Sequence, residues 1–351
     1  MSDGATDATD VVVVGAGPIG TELAVVLHAM GVDYVQLDAG QVGETVHGYP
    51  PHTTFFSSPD RIAIAGVPLR PPHESKATRE QYLSYLHAVV DQFDLPVRTF
   101  CAVDRVCPMG GGFVLGTSHG DLHAKRVVLA IGDMHTPRML GIPGEDRPHV
   151  SHRFGEAQRH FRRRVLIVGG KNSAVEAALR CQRAGAEVAI SYRRAAFDPD
   201  HIKYWLLPEI EALIEHQAIK FYPETTPVAI GETSVTLEEG GVGGGGERFD
   251  VPADDVLLLT GYDQDKSLFE SAGVTLEGAN RAPRHDPDTM MTDVEGLYVA
   301  GTAAAGTQHD FKLYIENSHP HVVKIARALT GREVPMRLVN AAAQTYGLAE
   351  S

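Results

Sequence analysis

The chain has 351 residues, of which 43% are hydrophobic and 22% are charged, so it can bury a sizeable core and is expected to form about two domains. Its formal net charge of −14 argues against a general affinity for nucleic acid or anionic membranes. The acidic first residues and the lack of an apolar run of membrane-spanning length predict a cytoplasmic protein without a membrane segment. The three cysteines form no Cys-x-x-Cys pair, which indicates reduced thiols rather than a disulfide framework.

A glycine-rich turn between a strand and a helix is the first informative motif. The run Val11–Val14 is typical of a buried parallel strand, and residues 21–27 have the composition of a helix. Glycines in the pattern G-x-G-x-x-G permit a tight turn, a close approach of backbone N–H groups to a pyrophosphate, and close helix–strand packing. The next strand ends at Asp38, whose carboxylate can accept hydrogen bonds from an adenosine ribose. The predicted dinucleotide-binding residues are Gly15, Ala16, Gly17, Pro18, Ile19, Gly20 and Asp38.

A second strand, glycine turn and helix begin at Arg164. Asn172 or Ser173 is expected to cap this helix, and Gly185 is placed to end it. The following strand, residues 187–190, leads to two arginines instead of a carboxylate, which suits the 2′-phosphate of NADP; a solvated basic turn is the alternative. The predicted NADPH-binding residues are Gly169, Gly170, Asn172, Ser173, Ala174, Arg193 and Arg194.

Three further strand-like runs, within residues 126–133, 255–262 and 296–301, each end at a glycine and predict how the domains are connected. They indicate that the second domain is inserted into the first. The predicted fold is therefore α/β with two nested Rossmann-like domains. We expect an FAD-binding domain formed by residues 1–138 and 254–351, and an inserted NADPH-binding domain formed by residues 139–253.

Two local patterns outside these motifs predict ordinary structure. Thr78 and Gln81 fit a capping box at the start of a helix. The apolar stripe of that helix is expected to face the core, and it consists of Tyr82, Leu86, Val89 and Phe93. The glycine-rich stretch 240–246 lies between strand-like runs and predicts a hairpin loop.

The chain resembles flavoproteins with two dinucleotide-binding domains of the thioredoxin-reductase type, and among them the YpdA-type bacillithiol disulfide reductases. The matching segments are 15–20, Tyr49–Ser58, Gly169–Glu176 and Ile315–Asn317. The resemblance implies FAD in the outer domain, NADPH in the inserted domain and a homo-oligomer. The further FAD-binding positions expected from the motifs and strand ends are His47, Thr54, Phe56, Gly132, Gly301 and Ile315.

The chain departs from this family at Ile19. YpdA-type proteins usually carry a cysteine just before the last glycine of the first loop, and the thioredoxin-reductase Cys-x-x-Cys is also missing here. Cys181 falls on an apolar helical stripe, and Cys101 and Cys107 fall on a strand-like run at a spacing beyond disulfide reach. We therefore predict structural roles for all three cysteines and a reductive cycle without a thiol.

The 17 histidines do not have the spacing of a metal site, and no metal is expected. His319 and His321 are two positions apart on a predicted helix and should face different sides. His47, His52 and His309 are candidates to line the flavin cleft, with a proton-donor role possible for each. The sequence assigns no catalytic residue.

The predicted function is FAD-dependent transfer of electrons from NADPH to an acceptor, in which the cofactors supply the chemistry and the protein supplies geometry and electrostatics. The resemblance implies a low-molecular-weight disulfide such as bacillithiol disulfide as the acceptor. A small electron-carrier protein, ferredoxin or flavodoxin, is the enzymatic alternative, and the missing thiol favours it. A flavin-based redox sensor that binds a partner and turns over slowly is the third interpretation.

Overall fold

The computed structural model describes residues 8–240, 243, 245–309 and 312–340. The acidic first residues and parts of the glycine-rich loop therefore lie outside the described residues. Within the described chain, the residues up to Thr136 and from Tyr262 onward form a first compact unit, and Pro137–Gly261 form a second.

The secondary structure comprises strands, α-helices and short 3₁₀ helices. The strands, in chain order, are β1 (Ala8–Val14), β2 (Tyr34–Leu37), β3 (Val97–Arg98), β4 (Val103–Met109), β5 (Gly112–Thr117), β6 (Gly120–Leu129), β7 (Thr136–Pro137), β8 (Val150–Ser151), β9 (Arg164–Val168), β10 (Glu187–Tyr192), β11 (Ile219–Pro223), β12 (Thr225–Ile230), β13 (Ser234–Glu239), β14 (Arg248–Pro252), β15 (Asp255–Leu258), β16 (Tyr262–Asp263), β17 (Leu276–Glu277), β18 (Ala282–Pro283) and β19 (Leu297–Val299). The α-helices are α1 (Pro18–Ala29), α2 (Glu44–His47), α3 (Pro59–Ile62), α4 (Arg79–Gln92), α5 (Asn172–Arg183), α6 (Leu207–Glu215), α7 (Ser267–Ser271) and α8 (Ile315–Thr330). The 3₁₀ helices cover Pro72–Glu74, Ala157–His160, Pro199–His201, Gly301–Ala305 and Met336–Leu338.

The first unit is built on a sheet with β1 near its centre. Its strands follow the order β3-β2-β1-β6-β5-β4, and β19 pairs with the carboxyl-terminal part of β6. β3, β2, β1, β6 and β19 run parallel, whereas β4 and β5 form an antiparallel extension of β6. The run Val11–Val14 is buried as predicted and packs with the apolar side chains of α1. Because the carboxyl ends of parallel strands meet at one edge, the turns after β1, β2, β6 and β19 lie along the same edge of the sheet.

The second unit repeats this design. Its parallel sheet has the order β11-β10-β9-β15-β8, and β12, β13 and β14 form a separate antiparallel sheet. In both units the first strand of the glycine motif is flanked by the next strand on one side and by a later strand on the other. Val165 and Ile167 of β9 are buried with the apolar face of α5, which includes Val175 and Leu179. The predicted fold class, two Rossmann-like α/β units, is confirmed.

The structure moves one predicted boundary. The run that begins at Asp255 was expected to return to the first domain, but it forms β15, which pairs with β9 and β8 inside the second unit. The chain re-enters the first unit at Tyr262 rather than at residue 254, and it leaves that unit after Thr136 rather than after residue 138. A buried apolar strand looks the same in either sheet, so the sequence could not say which sheet would take β15. Which cofactor each unit binds stays a prediction.

The local predictions agree with the structure. Thr78 accepts a hydrogen bond from the Gln81 backbone N–H at 3.4 Å, and the Gln81 side chain accepts one from the Thr78 N–H at 2.9 Å, which completes the capping box of α4. Tyr82, Leu86 and Val89 are buried in the core, and Phe93 packs partly against it. None of the helices in the described ranges has the length and apolar character that a membrane crossing requires.

Candidate functional site

The glycine loop of the first unit has one position that the protein leaves open. A Cβ on Gly15 would lie 2.4 Å from the Ala130 carbonyl oxygen, and a Cβ on Gly20 would lie 2.1 Å from the Gly15 carbonyl oxygen. These two glycines are therefore required by the turn and by close packing. A Cβ on Gly17, in contrast, would meet no protein atom within 4 Å. Gly17 is also the N-cap of α1 and offers no side chain to the first-turn N–H groups, so the space in front of the helix suits an anion such as a pyrophosphate.

Asp38 lies just after β2 and is tied to the glycine loop. Its carboxylate accepts hydrogen bonds from the backbone N–H of Ala16 at 2.6 Å and of Gly40 at 2.8 Å. Burial raises the pKa of Asp38, although these two N–H groups act in the opposite direction. Each carboxylate oxygen retains a lone pair, so Asp38 can still accept from a ribose hydroxyl. Sequence reasoning missed Gln36, which is fully buried and donates to the Gly15 carbonyl at 2.9 Å.

Gly132 and Gly301 follow the neighbouring parallel strands β6 and β19, and both have positive φ, +79° and +69°. A Cβ on Gly301 would lie 3.4 Å from the Cβ of Ile19, which is the second residue of α1 and is only 7% exposed. Ile19 therefore packs against the turn after β19. At the position where the family resemblance would place a reactive thiol, this chain has an apolar contact.

A buried polar network follows Gly132, and sequence reasoning did not find it. Asp133 is 8% exposed and accepts a hydrogen bond from Gln308 Nε2 at 2.9 Å. The side-chain Oε1 of Gln308 accepts hydrogen bonds from the backbone N–H groups of Lys312 and Leu313, both at 2.9 Å. Gln264 Nε2 donates to the Gly132 carbonyl at 3.0 Å. The available signal for Asp133 was a carboxylate directly after the glycine that ends a buried apolar run, whereas nothing local pointed to the two glutamines.

The other predicted FAD positions lie in three places. His47 ends α2 and is exposed, and its carbonyl oxygen accepts from Arg79 at 2.8 Å. Thr54 forms an isolated antiparallel bridge with Thr78, in front of α4. Ile315 is the first residue of α8.

Tyr49, in the segment between His47 and Thr54, lies near the polar network after β6. Burial, together with the nearby Asp133 and Tyr262, raises the pKa of Tyr49 to about 12. Phe56, the remaining predicted FAD residue of this part of the chain, has the ammonium of Lys76 4.9 Å from its ring centroid. The structure therefore places Tyr49 near Asp133.

The two histidines of α8 face different sides, as predicted. His319 is buried and lies 2.6 Å from a carboxylate oxygen of Glu22 on α1, and its other ring nitrogen lies 2.8 Å from the Arg61 carbonyl. Burial would lower the pKa of His319, but the Glu22 carboxylate outweighs it and the pKa is raised. His321 Nδ1 accepts from the Gly301 N–H at 3.2 Å, and burial lowers its pKa to about 4, so its ring is neutral at neutral pH.

The three histidines expected in a flavin cleft are all exposed, and they are His47, His52 and His309. Titratable groups that do lie beside the turns after β6 and β19 are the buried Asp133 and the half-buried His321, which accepts from the Gly301 N–H. Within the described ranges, no group of three or more His, Cys, Asp or Glu side chains could hold a metal ion.

The glycine turn of the second unit is more crowded than that of the first. A Cβ on Gly169 would lie 2.5 Å from the Leu259 carbonyl oxygen, and a Cβ on Gly170 would lie 2.4 Å from the ring of Tyr192. The predicted helix cap is wrong by one position. Lys171 is the N-cap of α5, and Asn172 uses its side-chain oxygen to accept from the Lys203 N–H at 2.6 Å. The Asn172 side chain therefore bonds to a residue 31 positions away instead of capping its own helix. Sequence spacing alone could not reveal this contact.

Ser173 and Ala174 continue the first turn of α5, and Ala174 is buried. Lys203 also forms an ion pair with Glu176 at 3.1 Å, so the chain after β10 is fastened to this turn by a backbone and a side-chain contact. Gly185 has φ +89° and follows the end of α5, as predicted.

Arg193 and Arg194 are both exposed directly after β10, but their surroundings differ. Arg194 forms an ion pair with Asp198 at 3.1 Å, and the same carboxylate oxygen lies 3.0 Å from His201 Nδ1. The guanidinium of Arg193 forms no hydrogen bond or ion pair with any residue that the structure describes. Arg193 is therefore available to an anionic ligand, whereas Arg194 is held by an acidic neighbour.

The cysteines are free and have the surroundings of structural residues. Cys181 is buried on α5, and burial raises its pKa to about 12, so its thiol is not ionised at neutral pH. Cys101 is buried, and its N–H donates to the Asp38 carbonyl. Cys101 precedes β4, so the prediction that it shares a strand with Cys107 is wrong. Cys107 lies within β4 and is half-buried.

Comparison with known proteins identifies the family. The family model for pyridine nucleotide-disulphide oxidoreductases matches residues 12–301. Bacilliredoxin reductase Bdr of Bacillus subtilis is 34% identical over 323 residues, which cover 92% of this chain and 98% of that protein. The structure of bacillithiol disulfide reductase Bdr (YpdA) from Staphylococcus aureus is similar with a TM-score of 0.86 and 33% identity, over 93% of this chain and 99% of that one.

Ferredoxin–NADP reductase of Ignicoccus hospitalis is a more distant relative, 28% identical over 303 residues that cover 83% of this chain and 89% of that protein. The predicted enzyme class and the two predicted cofactors are thus confirmed at the level of the family. The chain belongs to the pyridine nucleotide-disulphide oxidoreductase family and is a flavoprotein oxidoreductase that uses FAD and NADPH.

Proposed function

We propose that the chain transfers electrons from NADPH through FAD to a low-molecular-weight disulfide such as bacillithiol disulfide. The observation that carries this proposal is the 33% to 34% identity, over more than nine tenths of each chain, to proteins described as reductases of bacilliredoxin and of bacillithiol disulfide. When bound, FAD supplies the transfer of an electron pair between the pyridine nucleotide and the acceptor. The residues of the chain bind and orient the cofactors.

FAD is assigned to the first unit. Its pyrophosphate would occupy the open space at Gly17, in front of the first-turn N–H groups of α1. Its adenosine ribose would be bound by Asp38, which the Ala16 N–H holds in place. The remaining residues that we propose to line the FAD site are Gly15, Pro18, Ile19, Gly20, His47, Thr54, Phe56, Gly132, Gly301 and Ile315. FAD should bind stoichiometrically, and a purified protein without bound flavin after reconstitution would contradict this assignment.

NADPH is assigned to the second unit. The turn from Gly169 to Ala174 and the two arginines after β10 would bind its phosphates, because guanidinium groups form charge-assisted hydrogen bonds with phosphate oxygens. The guanidinium of Arg193 supports this assignment, because it has no ion-pair or hydrogen-bond partner among the described residues and an exposed cation of this kind can meet a 2′-phosphate at little cost. Strong preference for NADPH over NADH is the expected result. Equal catalytic efficiency with both nucleotides would contradict it.

The proposed cycle uses no cysteine. Ile19 occupies the family's cysteine position and can only pack, and the Cys181 thiol is buried and protonated. An anaerobic NADPH titration should therefore reduce the protein with two electrons per FAD. Serine variants of Cys101, Cys107 and Cys181 should keep acceptor turnover. Uptake of four electrons, or a folded serine variant without turnover, would show that a cysteine takes part.

Direct reduction of a ferredoxin or flavodoxin is the second candidate function. Ile19 in place of the family's cysteine favours it, and so does the 28% identity to a ferredoxin–NADP reductase over 83% of the chain. A redox sensor with slow turnover is the third. An anaerobic panel of acceptors separates them: rapid turnover with bacillithiol disulfide supports the first, turnover only with one-electron carriers the second, and flavin reduction without any acceptor activity the third.

We further propose that the protein is a homo-oligomer of the cytoplasm. The family resemblance supports the oligomer, and the three free cysteines suit a reducing compartment. Light scattering of the FAD-loaded protein should give a mass of at least two chains of 37.8 kDa each. A mass equal to that of one chain would contradict the oligomer.

A further inference from the structure

The strand order of the first unit indicates where the flavin half of FAD lies, provided that FAD occupies the proposed site. β2, β1, β6 and β19 are consecutive neighbours, with all their carboxyl ends at one edge. Asp38 follows β2 and the pyrophosphate turn follows β1, so the adenosine half covers one side of this edge. The flavin half must extend the other way, toward the turns after β6 and β19. Those turns contain Gly132 with Asp133 and Gly301 with Thr302.

Asp133 is a buried carboxyl group in this second half of the edge. Its partners are neutral: Gln308 donates to it at 2.9 Å, and the Thr302 side chain also forms a hydrogen bond with it. Among the described residues, no lysine or arginine forms an ion pair with Asp133. An isolated buried carboxylate is costly, so this group is poised to accept a proton.

The titratable groups that face Asp133 do not supply a fixed positive charge. His135 is the ionisable base that acts on Asp133, but burial lowers the pKa of His135, and its Nδ1 accepts a hydrogen bond from the Asp265 N–H at 3.0 Å. Tyr49 approaches from the segment after α2, with Tyr262 close to it, and burial raises the pKa of Tyr49 to about 12. Both neighbours are therefore neutral at neutral pH, and burial raises the pKa of Asp133.

We propose that Asp133 is the proton-exchanging group of the flavin end of the site. Reduction of a disulfide by NADPH consumes one proton: the S–S bond breaks, two S–H bonds form, and NADPH gives up a hydride to become NADP⁺. The hydride provides the electron pair and one hydrogen, and solvent provides the other hydrogen as a proton. Asp133 takes up that proton when NADPH delivers its electron pair to the flavin end of the site. Asp133 releases the proton when the electron pair passes to the acceptor.

The test is the dependence of the flavin reduction potential on pH, measured spectroscopically on the FAD-loaded full-length protein without any acceptor. If Asp133 binds a proton upon reduction, the potential falls more steeply with pH over an interval that begins at the pKa of Asp133 in the oxidised protein. This interval should be absent in Asp133→Asn. Thr302→Val removes a hydrogen bond that favours the charged carboxylate while preserving side-chain volume, so it should move the interval up by about one pH unit.

Asp265→Asn is the matched control, because it removes a carboxylate next to His135 that does not contact Asp133. The interval should remain in this variant. An interval that is unchanged in Asp133→Asn would overturn the proposal. Should Asp133→Asn fail to bind FAD, an unchanged interval in Thr302→Val would overturn it instead. Since no disulfide or carrier protein is present, this outcome is independent of which acceptor the enzyme uses. A missing FAD site would instead appear as a wild-type protein without bound flavin.

Discussion

A buried ion pair connects the two helices that frame the proposed FAD site, and its removal should have a large effect on stability. His319 of α8 and Glu22 of α1 are 3% and 2% exposed and lie 2.6 Å apart. Their remaining atoms are also satisfied, because Glu22 accepts from the Ala65 N–H at 3.2 Å and His319 contacts the Arg61 carbonyl at 2.8 Å. Removing one partner of such a pair leaves an uncompensated buried charge, which costs about 3 to 5 kcal/mol.

For a domain of this size, 1 kcal/mol corresponds to about 2 to 4 °C in the melting temperature, so Glu22→Leu and His319→Leu should each lower it by about 6 to 20 °C. The double variant should be less destabilised than the sum of the two, because it buries no unpaired charge. Thermal unfolding followed by circular dichroism, with FAD in excess, measures all four proteins. Single variants within about 4 °C of the wild type would refute this reasoning, because an exposed pair contributes up to about 1 kcal/mol.

The remaining predictions concern pH, coenzyme choice and the glycine loop. The pKa of His319 in the folded protein is raised above 6.5, so the stabilising contribution of His319 is complete below pH 6.5 and is lost as the pH rises through the raised pKa. The free energy of unfolding measured against pH should show this loss in the wild type but not in His319→Leu. Arg193→Ala should reduce the preference for NADPH over NADH by about 10- to 100-fold in kcat/KM, and Arg194→Ala by less, because Asp198 already holds Arg194; the reverse order would contradict the assignment. Gly17→Ala should fold with wild-type thermal stability of the FAD-free protein but bind FAD more weakly, whereas Gly20→Ala should destabilise the FAD-free protein itself; calorimetry and FAD titration separate the two.

The strand–turn–helix units were predictable because each depends on a short stretch of sequence. The run Val11–Val14 is typical of a buried strand, and the spacing of the glycines after it is typical of a dinucleotide-binding turn, although Gly15 also packs against Ala130 after β6. The capping box at Thr78 is local in the same way. Spacing rules therefore sufficed for these elements.

Contacts between distant parts of the chain were not predictable by the same means. Gln308 reaches Asp133 across 175 residues, and Gln264 reaches Gly132 across 132. Neither glutamine belongs to a pattern, because a side-chain amide can bond to any polar group that the fold brings near. The same limit explains the helix cap, since Asn172 bonds to Lys203 instead of its own helix, and the domain boundary, since β15 could have joined either sheet.

The two units share a strand order, so the choice of cofactor must come from a few side chains on that common scaffold. At the end of the second parallel strand, the first unit has the carboxylate of Asp38, fixed by two backbone N–H groups, and the second unit has Arg193 and Arg194. A 2′-phosphate placed at Asp38 would face a negative charge, whereas FAD has only ribose hydroxyls to offer there. A 2′-phosphate at the arginines would meet two cations, of which Arg193 has no competing partner in the described chain. We therefore expect the charge at this one position to direct FAD to the first unit and NADPH to the second.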